Sequence, residues 1–338
     1  MTRSHLAVRP SYRTKQLVSI PLSLEKLLYE RQVTLDASVD LNTSSSYSSA
    51  CNMYLCFCQR LNLPFDPTPE TLSLFVVHEA LRHLELHSIN TYLSGICNKL
   101  KPFYPRVRLA RRSPLVRRTL KGTMRLYSQP TRRKRALAPD DLDIVAAELA
   151  HSTLHDDRLF FAQLLTGFHG LLRLGRMVWP DNPNLRSSRK LTLRTTIATS
   201  PSSISFLLHS HKSDCFFDGD RVLISTNLSG IAPINAFTAY LASRDNKFPF
   251  HPQLWLRGNR SVPTRRWFIS RLHKFFPADI SGHSMRSGGA TTLAVAGVSS
   301  TSIQAIGRWS SDAWQVYIRK HPVLVHAQIV TERFAAPH

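Results

Sequence analysis

Residues 281–319 read SGHSMRSGGATTLAVAGVSSTSIQAIGRWSSDAWQVYIR, and the rest of the chain can be organised around them. The stretch opens with His283 and Arg286, three residues apart at an expected helix start, and closes with Trp309 and then Tyr317, eight residues later. Arginine holds phosphate oxygens with a planar fork of donors, histidine can move protons near neutral pH, and tyrosine can act as a covalent nucleophile. These residue types in this order predict a phosphoryl-transfer site on DNA.

The charge of the chain also indicates a polyanionic partner. Its 338 residues include 44 Lys plus Arg against 22 Asp plus Glu, a formal net charge of +22, and nucleic acid is the commonest polyanion for such an excess. An acidic membrane surface is the rival, but no apolar run approaches the roughly 18 residues of a spanning helix. The N-terminus lacks the apolar core of a signal peptide, so we do not expect secretion. We expect double-stranded DNA as the partner and no membrane.

The five cysteines do not form a metal-binding pattern. Cys51, Cys56 and Cys58 lie close together on one expected helix, with no paired Cys-x-x-Cys and no spaced histidines to complete a zinc site. Together with Cys97 and Cys215 they give an odd count, which favours reduced thiols, most of them buried as small apolar groups. No metal site is expected.

Apolar periodicity predicts a small all-helical domain over residues 41–127, after an N-terminal arm of residues 1–40 that has no strong period. A serine-rich cluster at residues 43–46 resembles the start of its first helix. The three prolines of residues 63–70 (LPFDPTPE) end that helix, and two further helices are expected before residue 101.

The second half of this helical domain carries charge of one sign. No acidic residue occurs between Glu85 and Asp140, whereas solvated faces normally mix signs. We therefore predict DNA contacts there. The residues expected to make them are Arg111, Arg112, Arg117, Arg118 and Lys121.

A basic linker is expected over residues 128–136, between the two domains. Its cluster TRRKR, at residues 131–135, is expected to touch the DNA backbone and could also act as a nuclear import signal, which predicts a nuclear location. The linker residues expected to contact DNA are Arg132, Arg133, Lys134 and Arg135.

Residues 137–325 are expected to form a second domain, mostly helical with a small antiparallel sheet. The strands are predicted at residues 191–200, 204–208 and 222–225, and the loop between the last two carries Lys212. Helices are predicted at residues 233–242, 263–275, 284–296, 300–306 and 311–319. A C-terminal tail is expected over residues 326–338. The stretch after Lys320, residues 321–334 (HPVLVHAQIVTERF), could dock on a neighbouring copy or could complete the core of its own chain.

Several motifs in this order resemble the tyrosine recombinases, the phage-integrase type of DNA breaking and rejoining enzymes. Residues 165–177 (LTGFHGLLRLGRM) resemble the segment with the first catalytic arginine of that family, which points to Arg173. Residues 282–298 resemble its second box, and residues 306–319 its nucleophile helix. Residues 209–214 (HSHKSD) are similar to the hairpin that bears its lysine. The spelling of GLLRLG, HSMRSGGAT and GRWSSDAWQVYIR looks most like Crypton-type eukaryotic transposon recombinases.

This resemblance implies a mainly α fold with a helical, SAM-like core-binding domain and an α+β catalytic domain. It also implies a dimer on each DNA site and a tetramer at synapsis. The reaction it implies is DNA recombination and integration through a 3′-phosphotyrosyl intermediate, with neither ATP nor a metal required. The implied catalytic residues are Arg173, Lys212, His283, Arg286, Trp309 and Tyr317.

Two positions depart from the family pattern. The family places an acidic residue three positions after the first arginine, where this chain has Arg176; that charge could bind phosphate or could leave Arg173 badly oriented. Trp309 occupies a position often filled by histidine, and its indole N–H can still donate one hydrogen bond. Two alternatives stay open. One is a catalytically inactive, domesticated DNA-binding protein with the same fold, which Arg176 supports; the other is a relaxing topoisomerase with the same chemistry but no exchange of partners.

Overall fold

A computed structural model of the chain describes residues 23–128, 134–188, 191–208, 219–225 and 233–309, together with Ser311 and Gln315. The chain divides into two compact units, residues 1–130 and 131–338. Within the described ranges, no helix combines the length and the apolar character that crossing a membrane requires.

The first unit is helical throughout its described part. Its core joins α2, α3 and α4 through Tyr54, Phe75 and Ile96, all with no exposed side-chain surface. The helices are α1 (Leu24–Ala37), α2 (Leu41–Arg60), α3 (Pro69–Leu81), α4 (Leu86–Leu100), α5 (Val107–Arg112) and α6 (Pro114–Tyr127).

Two details of this unit differ from the sequence expectation. Helix α2 begins at Leu41, before the serine cluster, because the Asp40 carboxylate accepts a hydrogen bond from the Asn42 N–H at 2.9 Å and caps the helix there. Helix α1 lies inside the expected arm. The side chains of its residues 24–35 are exposed to solvent, which explains why the sequence shows no apolar period to reveal it.

The second unit is mainly helical with a three-stranded antiparallel sheet of order β1-β2-β3. This confirms the predicted fold class. Its elements in chain order are α7 (Pro139–Leu149), α8 (His155–His169), β1 (Ala198–Thr199), β2 (Ser203–Leu208), β3 (Asp220–Ser225), α9 (Pro233–Lys247), α10 (Arg265–Phe275), α11 (Ser284–Val295) and α12 (Ser300–Gly307).

The prediction of one strand over residues 191–200 is wrong for most of its length. Only Ala198–Thr199 pairs with β2, and Arg194–Thr196 forms a 3-10 turn. Tertiary contacts hold this turn: the Arg194 guanidinium binds the Asp245 carboxylate at 2.8 Å, and the Arg194 N–H donates to the Pro252 carbonyl at 2.8 Å. These contacts outweigh the β-propensity of the threonines and isoleucine in the segment.

Helix α8 is the central element of the second unit. Its residues 159–168 are buried, and it packs against α7, α9 and α11. Apart from Gln163 and Thr166 these residues are apolar or glycine, and a helix that is apolar around its circumference packs in a core. The direction of α8 therefore determines where the residues that follow it emerge, and these include Arg173.

The cysteines that the structure describes are free thiols. Cys51, Cys58 and Cys97 are buried and Cys56 is exposed, and burial raises the pKa of the Cys51, Cys58 and Cys97 thiols. Cys215 lies outside the described residues.

Candidate phosphate-binding site in the second unit

The turn after α8 carries Arg173 to the surface. Helix α8 ends at His169, and Leu171 then takes a left-handed backbone with φ of 48°. The Leu172 N–H donates to the Gly167 carbonyl at 2.9 Å. This sharp turn buries Leu171 and Leu172 and leaves Arg173 exposed. Arg173 thus follows two buried leucines and has a solvent-exposed side chain.

Arg286 is a buried residue whose side chain connects this turn to the end of α12 through hydrogen bonds. It lies on the first turns of α11 and is 2% exposed. Its Nη1 donates to the Leu171 carbonyl at 2.8 Å, and its Nη2 donates to the Gly307 carbonyl at 2.5 Å. A planar guanidinium suits such divergent bonds. The second predicted arginine therefore holds together the two segments on which Arg173 and Trp309 stand.

Trp309 covers Arg286. Its ring centroid lies 4.1 Å from the Arg286 Cζ atom, a cation–π contact, and the side chain is 8% exposed. The ring also lies on Gly307, where a Cβ would come within 1.6 Å of it; only glycine permits this approach. The predicted catalytic role of Trp309 stays a prediction, beside this packing role.

His283 stands at the start of α11, is exposed, and lies close enough to Arg286 and Arg173 to feel their charges. It is the N-cap of the helix, and the Ser284 hydroxyl accepts from the Ser281 N–H at 2.9 Å in the turn around it. Desolvation by its neighbours, and then the positive charges of Arg286 and Arg173, lower the pKa of His283. A neutral imidazole is thereby favoured near neutral pH, which is the form that can accept a proton.

Arg176, the departure from the family pattern, faces the same cluster. It ends the 3-10 turn Leu174–Arg176 and is partly buried. Burial, and then the charge of Arg173, lower the pKa of the Arg176 guanidinium. The structure thus places a second positive charge beside Arg173.

The basic residues of the first unit are mostly open to solvent. Arg112, Arg117, Arg118 and Lys121 are exposed on α5 and α6, whereas Arg111 is partly buried and donates to Ser94 Oγ at 2.9 Å. A groove of ≈ 520 Å³ on this unit has Arg108, Arg111, Arg112 and Arg117 in its lining. A concave surface with four guanidinium groups suits a polyanion.

The described linker residues already have protein partners. The Arg135 guanidinium binds the Asp141 carboxylate through two hydrogen bonds, at 2.7 and 3.1 Å, and lies 3.6 Å from the Asp279 carboxylate. The Lys134 ammonium donates to the Ala278 carbonyl at 2.8 Å. These contacts fasten the start of the second unit, and the predicted DNA contacts of Lys134 and Arg135 stay predictions.

Four predicted site residues lie outside the described part of the chain: Lys212, Tyr317, Arg132 and Arg133. Among the predicted catalytic residues that the structure describes, Arg173, His283, Arg286 and Trp309 lie near one another. Within the described ranges, no group of three or more His, Cys, Asp and Glu side chains could hold a metal ion.

Sequence reasoning did not select Arg308 or His169, both of which border the turn after α8. The Arg308 Nη2 donates to the Gly170 carbonyl at 2.6 Å. His169 is the last residue of α8, and its Nε2 atom is buried with no hydrogen-bond partner within the described residues. The adjacency of Arg308 to Trp309 was the only signal in the sequence.

His169 predicts a loss of stability in mild acid. Burial lowers its pKa to about 4, against an unfolded value near 6.5. Between about pH 4 and pH 6.5 the His169 imidazole is therefore protonated in the unfolded chain and neutral in the folded chain. The free energy of unfolding rises with pH through this range. We expect His169→Gln to remove about 2 kcal/mol of the difference in unfolding free energy between pH 7 and pH 5.

Urea denaturation at pH 7, 6 and 5 measures this effect. Burial also lowers the pKa of His155, so part of the acid sensitivity should persist in the variant. His87→Gln, at an exposed position on α4, is the control and should follow the wild type. An unchanged pH dependence in His169→Gln would contradict the prediction.

The sequence matches no protein-family model, and no curated protein matches it at a significant level. The fold, however, is similar to solved structures. One is the Tn1549 transposon integrase in complex with transposon right end DNA, with a TM-score of 0.61 and 16% identity over 92% of this chain and 99% of that one. A second is a lambda integrase dimer bound to a COC′ core site, with a TM-score of 0.53 and 15% identity over 88% and 95%.

A lambda integrase tetramer bound to a Holliday junction is also similar, with a TM-score of 0.51 and 14% identity over 88% of this chain and 77% of that one. All three matches extend over both units of the chain. The helical first unit and the mainly helical second unit with its small antiparallel sheet therefore share the fold of these integrase structures.

Proposed function

We propose that this protein is a DNA recombinase or integrase that cleaves and rejoins DNA through Tyr317. One observation carries the proposal: within a fold shared with integrases, Arg173, His283, Arg286 and Trp309 meet around one turn, although the chain separates the first two by more than a hundred residues. The electrostatics of this cluster suit an anion, and its residue types suit phosphoryl transfer.

In the proposed reaction the Tyr317 phenol oxygen attacks the scissile phosphorus. A bond forms between that oxygen and phosphorus, the bond to the 5′-oxygen breaks, and the 3′-phosphate stays on the protein. His283, with its lowered pKa, takes the phenol proton. Lys212 gives a proton to the leaving 5′-oxygen. Rejoining reverses these steps with a 5′-hydroxyl of a partner duplex.

The arginines have distinct parts in this proposal. Arg173 is exposed and can reach a non-bridging oxygen directly, whereas Arg286 is buried beneath Trp309 and fixes the turn behind it. Both charges offset the negative charge of the pentacoordinate transition state. Preorganised donors are effective because they need no rearrangement as the charge develops.

The test measures formation of a covalent protein–DNA adduct on a nicked suicide duplex. The duplex carries the terminal DNA of the transposon that encodes this protein. Wild-type protein should form an adduct that resists denaturation, and Tyr317→Phe should form none because it lacks the attacking oxygen. Tight binding without any adduct would instead support the inactive DNA-binding alternative, which Arg176 beside Arg173 favours. Products that join two different duplexes separate a recombinase from a topoisomerase.

A finer assignment, to a subgroup of recombinases, rests on the residues of three sequence motifs. We propose a Crypton-type transposon recombinase on the strength of GLLRLG at 170–175, HSMRSGGAT at 283–291 and GRWSSDAWQVYIR at 307–319. A nuclear location is proposed with it, from the basic cluster at 131–135. The dimeric and tetrameric assemblies bound to DNA are those of lambda integrase, and we propose the same states for this chain.

Helix α6 gives a prediction about DNA affinity. Arg117→Gln, and separately Arg118→Gln, should weaken binding uniformly across sequences and reduce the slope of log K against log salt by about 0.9 each, because each removes one phosphate contact. Fluorescence anisotropy with a labelled duplex at several salt concentrations measures the slope. Arg60→Gln, an exposed arginine on α2, should leave it unchanged.

A further inference from the structure

Arg308 occupies a backbone conformation that its side chain does not explain. It follows α12 with φ of 54° and ψ of 47°, the left-handed region, and its N–H donates to the Ala305 carbonyl at 3.0 Å. Helices commonly end this way on glycine or asparagine, since other residues are disfavoured there by about 1 kcal/mol. Local structure therefore gives no reason for an arginine at this position.

The long-range contacts of Arg308 place it in the cluster around Arg173. Its Nη2 donates to the Gly170 carbonyl at 2.6 Å, and the adjacent Leu171 carbonyl accepts from Arg286 Nη1 at 2.8 Å. Two guanidinium groups from α11 and the end of α12 thus hold consecutive carbonyls of the turn that presents Arg173. Arg308 is partly exposed, unlike Arg286.

One acidic side chain and two basic ones act on Arg308. Burial lowers the pKa of Arg308 to about 10; Asp220 opposes this, and Arg173 and Arg176 add to it. The guanidinium stays protonated at neutral pH. Like charges close together in a partly buried site repel one another, so a bound anion with more than one oxygen would relieve the cluster.

We propose that Arg308 is a further arginine of the phosphate site, which binds the same DNA phosphodiester as Arg173 and helps to orient it. The inference rests on the proposed function for the identity of the anion. It assigns to Arg308 a direct contact with a non-bridging oxygen. The competing role is purely structural, a hydrogen bond to Gly170 that only shapes the turn.

Inorganic sulfate, a tetrahedral dianion, tests the site without DNA. We expect sulfate to raise the melting temperature of the wild type by mass action, at constant ionic strength set with chloride. Arg308→Gln should raise the half-saturating sulfate concentration at least tenfold. Arg260→Gln is the matched control, because Arg260 is also left-handed, with φ of 69°, and exposed; it should behave as the wild type.

The structural role predicts the opposite pattern. If Arg308 only fastens the turn, Arg308→Gln lowers the melting temperature without sulfate and leaves the sulfate dependence unchanged. That result overturns the proposal, and so does a wild type that sulfate stabilises no more than Arg308→Gln. Arg308→Lys keeps the charge and should recover most of the sulfate response.

A second test uses the suicide duplex with a neutral methylphosphonate at the scissile position. On the phosphodiester, Arg308→Gln should slow adduct formation by about 100-fold or more, the usual loss for one transition-state donor. On the methylphosphonate the loss should shrink to less than about threefold, because the charge that Arg308 contacts is absent. Equal losses on both substrates would indicate a structural role.

The two proposals can fail separately. If wild-type protein forms no adduct on either substrate, the recombinase proposal falls, and the sulfate titration alone decides whether Arg308 belongs to an anion site. If the adduct forms and Arg308→Gln matches the wild type in both assays, the recombinase proposal stands and the assignment of Arg308 is wrong.

Discussion

Replacing Gly289 with alanine is expected to lower the free energy of unfolding by about 3 kcal/mol or more. A Cβ at this position of α11 would lie 2.1 Å from the Phe168 carbonyl oxygen and 2.6 Å from Leu171 Cδ2. The carbonyl belongs to the backbone of α8 and cannot rotate away, so the two helices must separate. Overpacking of this kind typically costs 1–3 kcal/mol and sometimes more, which exceeds the gain of about 1 kcal/mol in helix propensity.

Urea denaturation of the variant against Gly122→Ala tests this expectation. Gly122 lies in α6, and a Cβ there meets no atom within 4 Å; we expect that substitution to be neutral or to stabilise by up to about 1 kcal/mol. Opposite signs for two glycine-to-alanine changes in helices would show that close packing against α8, and not propensity, governs α11. Equal stabilisation of both variants would contradict the described packing.

Replacing Arg286 with lysine is expected to slow adduct formation by about 10²–10³-fold, the usual loss for one preorganised donor. A lysine ammonium is a point charge and cannot reproduce the fork that binds the Leu171 and Gly307 carbonyls and lies flat on Trp309. Those two carbonyls, buried and left without their donor, should also lower the unfolding free energy by about 1–3 kcal/mol each.

The control is Arg244→Lys, because Arg244 is a second buried arginine of the same unit. It is 0% exposed and donates to the carbonyls of Phe248, His251 and Gln253. This variant should lose stability but keep its rate of adduct formation, per folded molecule, within about threefold of the wild type. The comparison separates damage to the fold from damage to the phosphate site, and similar rates in both lysine variants would exclude a special role for Arg286.

Much of the second unit could be predicted because its signals are local. The apolar spacing and caps around residues 284–296 and 300–306 predicted α11 (Ser284–Val295) and α12 (Ser300–Gly307) to within a residue. Alternation predicted β2 and β3, since one face of each strand is buried. The strand prediction for residues 191–200 failed because Arg194 forms an ion pair with Asp245, which lies far along the chain, and this contact holds the backbone in a 3-10 turn.

The candidate site divides in the same way. The resemblance to a known family selected Arg173, whereas residue type and spacing already pointed to His283, Arg286 and Trp309. These four residues meet in the structure. The motifs could not reveal that Arg286 is buried and Arg173 exposed, which depends on the direction of α8. Nor could they select Arg308, whose left-handed backbone and bond to Gly170 have no local signature.

The sequence by itself determined the mainly helical class, the basic charge and the identity of the residues suited to phosphate chemistry, because periodicity, composition and motif spelling are properties of neighbouring residues. Only the tertiary structure decided how these residues share one turn. Two long-range hydrogen bonds hold the turn: Arg286 donates to the Leu171 carbonyl and Arg308 to the Gly170 carbonyl, across 115 and 138 positions of the chain. Contacts at such separation depend on how α8, α11 and α12 pack, and packing is a property of the whole unit rather than of any single stretch.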